Sequence, residues 1–177
     1  KKSAFHCEEH SFFMYIFGEN EFAVRLFPAL CALGGIYLTG YLATKMFNRQ
    51  TGFLASIIIG SSFLYLIIGS LNILDMAISF FITLSMVSYY QFIITLKSKY
   101  LYIFYASMAF GTLTKGLIAI VLTFAIIFCY CLLTKNLKLL LKSISLIGIL
   151  IFLVICVPWF YLVCKDNPDF FYFFFIH

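Results

Sequence analysis

Long apolar runs separated by short polar turns set the pattern of this chain. Six runs can be drawn, over residues 27–44, 53–71, 76–96, 100–113, 117–134 and 143–164. Most have the length that crosses roughly 30 Å of hydrocarbon as a helix; the fourth is the shortest. None alternates apolar and polar positions with period two, as a barrel strand would. Because lipid leaves helices and closed barrels as the only ways to satisfy the backbone, the runs predict helices. Pro28 falls in the first turn of the first run, where its missing N–H costs little. Pro158 predicts a kink in the sixth. The expected fold class is all-α: a polytopic membrane helix bundle of about six transmembrane helices.

Composition agrees. Of 177 residues, 64% are hydrophobic and only 11% charged, too few to clothe a soluble domain of this size. The net charge of +5 does not predict nucleic-acid binding, because the basic residues lie in small groups between the apolar runs. The six cysteines show no CxxC spacing and mostly sit inside apolar runs, where a thiol behaves as a small hydrophobe. The chain opens on "KKSAFHCEEH", with no initiator Met and no signal peptide, and reads as an internal fragment of a longer protein.

Charge also predicts topology. If the six runs alternate in direction, one side receives Lys45, Arg49, Lys97, Lys99, Lys135, Lys138 and Lys142 with no acidic residue. The other receives all seven acids, with Lys1, Lys2, Arg25, Lys115 and Lys165. The positive-inside rule turns the first set to the cytoplasm. Residues 1–26 and 165–177 then read as outer interfacial segments flanking membrane helices at 27–164.

The expected chemistry lies on the outer side. Asp75 is the only charged residue among the 44 between Gly52 and Lys97. It falls in a tight outer turn, where it either caps the third helix or serves a site. Lys115 and Gly116 form another outer turn; a lysine there snorkels to the interface or binds a lipid phosphate. Glu21 and Arg25 stand four apart and predict a helical pair. "HCEEH" (His6–His10) fits the H-x-x-E-H zinc pattern, but a catalytic zinc needs a third protein ligand and none is evident. The C-terminal "NPDFFYFFFIH" reads as an aromatic belt along the outer surface. No Gly-rich phosphate loop, Ser-His-Asp order or CxxC metal site is present.

The ordered stretches "FGENEFAVRLFPAL", "NILDMAISFFITL", "GTLTKGLIAIVL", "VPWFYL" and "NPDFFYFFFIH" resemble the dolichyl-phosphate-mannose–protein mannosyltransferase-like glycosyltransferases. Within them the chain is most similar to the bacterial aminoarabinose transferase group that modifies lipid A. The resemblance runs over essentially the whole chain. It implies the GT-C fold, an extracytoplasmic site in a bacterial inner membrane, a polyprenyl-phosphate-linked sugar donor, and lipid A or protein as acceptor. It makes Asp75 the family's acidic residue of the second outer loop, a catalytic candidate. Lys2, Lys115 and Arg25 become substrate-binding candidates. Lys2 lies about where the family has a Lys-Pro-Pro motif, although "KKSAFHC" carries neither proline. The same resemblance implies that "HCEEH" falls in the family's interfacial helix rather than in a protease site. The family's main catalytic acid lies upstream of Lys1, and a Glu-His pair tied to its metal site would follow His177. No cofactor is therefore expected from these residues, and a divalent metal is a matter for the full-length protein.

The expected function is an integral membrane glycosyltransferase. A truncated, non-catalytic family member is the alternative. A transporter segment would need paired charges deep in the bundle, and the runs show none.

Overall fold

The computed structural model describes residues 21–70, 74–135 and 142–166, with side chains over 26–69, 75–135 and 142–161. Lys2, "HCEEH" and "NPDFFYFFFIH" lie outside the described residues. Every regular element among those described is helical: α1 (Glu21–Met46), α2 (Arg49–Ser61), α3 (Phe63–Ser70), α4 (Leu74–Thr95), α5 (Ser98–Lys115), α6 (Ile118–Leu133) and α7 (Leu146–Asp166).

Each expected run is helical, but the six spans are not equal. Among the described residues, Leu26–Met46 and Asp75–Thr95 are long and apolar enough to cross a membrane, and α2 with α3 makes a third if counted as one bent span. The second run was expected to be continuous; it bends by 65° at Ser62 instead. The cause is local. Ser62 is extended (φ −65°, ψ 121°) and its N–H turns back to the Ile59 carbonyl. The Ser61 hydroxyl donates to the Ile58 carbonyl at 3.2 Å, competing with the helical ladder. Small, hydroxyl-bearing positions are where helices break. The described apolar stretches of α6 and α7, Ile118–Leu133 and Leu146–Tyr161, are shorter than a full span.

Pro28 also differs from expectation. The helix begins at Glu21, ahead of the apolar run, so Pro28 lies inside α1 rather than in its first turn. Hydropathy marks where lipid begins, not where a helix begins. Pro158 likewise lies inside α7, which continues past it to Asp166.

The chain forms two compact units, Lys1–Val87 and Ser88–His177, with α4 crossing the boundary. In the first, α1 packs antiparallel to α2 and α3 at close range. Gly40 faces Ser56, Gly52 faces Thr44, and the Tyr65 hydroxyl donates to the Ala32 carbonyl at 2.9 Å. Small residues let helix backbones approach in lipid, where no hydrophobic force drives them together. Gly69 meets Ala32 and Met76, and Gly34 faces the Phe80 ring, so α1 and α4 run in the same direction. Cys31, Met76 and Ala77 form the buried centre, with Phe27, Tyr65 and Phe81 against it.

In the second unit α5 is the hub, packed on both α6 and α7. Phe104 and Ala109 are almost wholly buried. The Tyr105 hydroxyl donates to the carbonyl of Ser143, just ahead of α7, at 3.0 Å, and further along the Cys156 thiol of α7 approaches the Ala109 carbonyl at 3.8 Å. This rising register makes α5 and α7 parallel. The Ser143 hydroxyl donates to Tyr89, late in α4, at 2.9 Å. Tyr89 also interacts with Cys131, near the end of α6. The close of α4 and α6 and the start of α5 and α7 therefore share one end.

Candidate functional site

Asp75 occupies the first turn of α4. It lies within that first turn rather than ahead of it. The carboxylate stands at the positive end of the α4 dipole. It is partly exposed, while Met76 and Ala77 immediately after it are 2% exposed. A buried apolar base thus holds the start of α4 in place and leaves the acid at its rim. Within this unit the α1 register puts Asp75 at one end and Lys45 and Arg49 at the other. Arg25 belongs to the opening turns of α1, at the Asp75 end by that register. Its side chain lies outside the described residues, as does the expected Glu21–Arg25 pair.

Lys115 ends α5, exposed, at the negative end of that helix's dipole. Behind it the chain reverses on Gly116, whose φ of 79° and ψ of −147° belong to a region that essentially only glycine visits. The Gly116 N–H closes the turn on the Thr112 carbonyl at 2.7 Å. Thr112 and Thr114 are buried, and each hydroxyl donates back into its own helix, to Met108 and Gly111. Their polarity is absorbed locally, so the lysine is the ionic feature of this turn. Two residues later α6 begins, bringing amide groups that favour an anion. Lys115 stands at the end of its unit opposite to Lys97, Lys99, Lys135 and Lys142.

The structure therefore brings Asp75 and the opening turns of α1 together in one unit, and Lys115 with the α6 start in the other. Among the described residues no three His, Cys, Asp or Glu side chains group as a metal site. Sequence reading missed the Tyr89–Ser143–Tyr105 chain of hydroxyls, because residues 54 and 38 positions apart give no local signal.

Helices of this length and apolarity, with ionic residues confined to their ends, define an integral membrane protein of the multi-helix class. The particular family follows from comparison. The family model described as dolichyl-phosphate-mannose-protein mannosyltransferase matches residues 10–162, and the chain belongs to that family. It is 34% identical over 170 residues to an undecaprenyl phosphate-alpha-4-amino-4-deoxy-L-arabinose arabinosyl transferase of Proteus mirabilis. It is 32% identical over 172 residues to the enzyme of that name from Yersinia enterocolitica. Each alignment covers 91% of this chain and 30% of the relative, so the chain spans about a third of the relatives' length. The crystal structure of ArnT from Cupriavidus metallidurans bound to undecaprenyl phosphate superposes with a TM-score of 0.92 at 29% identity. That match covers 99% of this chain and 34% of the other. The apo form gives 0.90. The fold is thus that of a GT-C membrane glycosyltransferase.

Proposed function

We propose that this chain is the central membrane part of a glycosyltransferase. It moves a sugar from a polyprenyl-phosphate carrier to an acceptor, lipid A or protein, on the extracytoplasmic side of a bacterial inner membrane. The observation that carries the reading is the near-complete superposition on ArnT, a protein whose structure holds undecaprenyl phosphate. The curated relatives, named for an undecaprenyl-phosphate-linked aminoarabinose, favour an amino sugar as the group transferred. The basic helix ends support the orientation: the positive-inside rule turns Lys45 and Arg49 inward in one unit and Lys97, Lys99, Lys135 and Lys142 inward in the other. Asp75 and Lys115 then each face outward.

The chemistry is a displacement at the sugar C1. An acceptor oxygen attacks, its proton passes to a carboxylate, and the bond from C1 to the carrier phosphate oxygen breaks. Lys115, backed by the amide end of α6, offsets charge on the departing phosphate. Asp75 orients the acceptor or the basic groups beside it. Lys2 and Arg25 are further phosphate-binding candidates.

The test uses the full-length protein reconstituted with a polyprenyl-phosphate sugar donor and lipid A. Transfer that falls by about 10²-fold or more in Asp75→Asn, with the fold intact, is the expected result. A loss below about tenfold would reduce Asp75 to a helix-terminal charge. No transfer by wild type with any related acceptor would favour a non-catalytic family member.

A further inference from the structure

A cavity of about 400 Å³ lies inside the second unit, walled by Phe104 and Met108 of α5, Phe124 and Ile127 of α6, and Ile149 and Phe152 of α7. Its size is that of a small-molecule or lipid site. Polar groups reach the wall only where Tyr105 and Ser143 meet, and those are engaged with each other and with Tyr89. Water would find few partners there, so the space suits hydrocarbon.

The cavity runs from Ile120, in the first turn of α6, to the basic end of the unit. Ser143 and Ile144 belong to its wall, and the exposed Lys142 directly precedes them. Lys99 stands five residues before Phe104, about 8 Å along the axis of α5. Lys135 follows Ile127 by eight residues, roughly two turns on. All three are exposed, and between Asp75 and Asp166 the sequence holds no acidic residue to neutralise them. An apolar slot with a cationic rim at the cytoplasmic side suits an acyl chain below a negatively charged headgroup.

We propose that the cleft between α5, α6 and α7 binds an anionic glycerophospholipid of the cytoplasmic leaflet, its acyl chain in the cavity and its headgroup on Lys99, Lys135 and Lys142. Its headgroup position is distinct from the carrier site proposed above, whose phosphate ligand Lys115 lies at the other end of α5. Its role is structural: the chain fills the space that α5, α6 and α7 leave open between them.

The experiment uses the full-length protein in nanodiscs containing trace phosphatidylglycerol with a diazirine in its acyl chain. Crosslinked peptides are mapped by mass spectrometry, a readout independent of sugar transfer. Labelling is expected on the peptides that hold Phe104–Met108 and Ile149–Phe152. Since each interfacial lysine contributes about a fivefold preference, Lys99→Gln, Lys135→Gln and Lys142→Gln together should cut labelling by at least about tenfold. Ile149→Trp, which fills the slot while keeping the lysines, should abolish labelling inside it. Three results would each overturn the proposal. Equal labelling by phosphatidylcholine, indifferent to the lysines, would make the contact ordinary bulk lipid. Labelling by a photoreactive polyprenyl phosphate but not by phosphatidylglycerol would make the slot a carrier-tail site. No labelling by either would mean that other parts of the full-length chain fill it. The triple lysine variant changes only exposed side chains, so it remains interpretable if Ile149→Trp fails to fold.

Discussion

The Tyr105 hydroxyl donates to the main-chain carbonyl of Ser143 at 3.0 Å, while the Ser143 hydroxyl donates to Tyr89 at 2.9 Å. One serine thus fastens three elements of the second unit at the basic end. Leaving a buried carbonyl unpaired is costlier than removing both partners. Tyr105→Phe is therefore expected to destabilise by about 1–3 kcal/mol. Ser143→Ala keeps the carbonyl and should cost only about 0.5–1.5 kcal/mol. Thermal unfolding of the detergent-solubilised full-length protein, followed by tryptophan fluorescence, ranks the two; the reverse order would mean that the hydroxyl, not the carbonyl, is the anchor.

Gly116 makes a second, separate prediction. At φ 79° and ψ −147° a side chain is strained whatever room surrounds it. Gly116→Ala should cost about 1–3 kcal/mol and re-aim Lys115. Both a lower unfolding temperature and a raised KM for the lipid-linked donor are expected. A variant as stable as wild type would show that the turn relaxes without penalty.

Two glycines of the first unit should behave oppositely. A Cβ at Gly52 would stand 2.7 Å from the Gly40 carbonyl oxygen, a backbone atom that moves only if α1 and α2 part. A Cβ at Gly60 would meet only the Ile36 side chain, at 3.4 Å, an ordinary contact. Gly52→Ala is expected to cost about 1–3 kcal/mol. Gly60→Ala should be neutral or stabilising by up to about 1 kcal/mol, through lower unfolded-state entropy. Parallel unfolding curves decide it, and equal losses would sink the close-packing account.

Lys115 tests the phosphate role. Lys115→Gln in the full-length protein should lower transfer by about 10²-fold or more if the lysine stabilises the departing phosphate. Lys115→Arg keeps the charge but not the compact ammonium and should recover part of the activity. Single-turnover rates at saturating donor separate chemistry from binding. A change in KM alone would make Lys115 a binding residue rather than one acting on the transition state.

Much of the architecture was legible because lipid removes choices. Apolar runs such as 76–96 must become helices, and their ends must collect the charges, so α4 and the opposition of Asp75 to Lys45 and Arg49 follow from hydropathy and sign alone. The Lys-Gly turn was readable too, because a glycine after a helix's last cation is a local stop signal. Other features were not local. The break at Ser62 turns on hydroxyls competing for carbonyls inside a run that stays apolar throughout, so hydropathy saw one span where there is a 65° bend. Pro28 sits inside α1 because a helix can begin in water, before lipid begins. Asp75 falls within the first turn of α4 rather than ahead of it, a difference of one or two residues that composition does not resolve.

The sequence by itself determined that this is an all-helical membrane protein, which family it resembles, and which end of each helix is basic. Those properties belong to single positions and their periodicity, which chain order preserves. Only the tertiary structure decided that Gly40 and Gly52 lock α1 onto α2, that Ser143 ties Tyr89 to Tyr105, and that α5, α6 and α7 leave an apolar slot between them. Each of these depends on the distance between residues far apart in the chain, and the packing of helices, not their order, sets that distance.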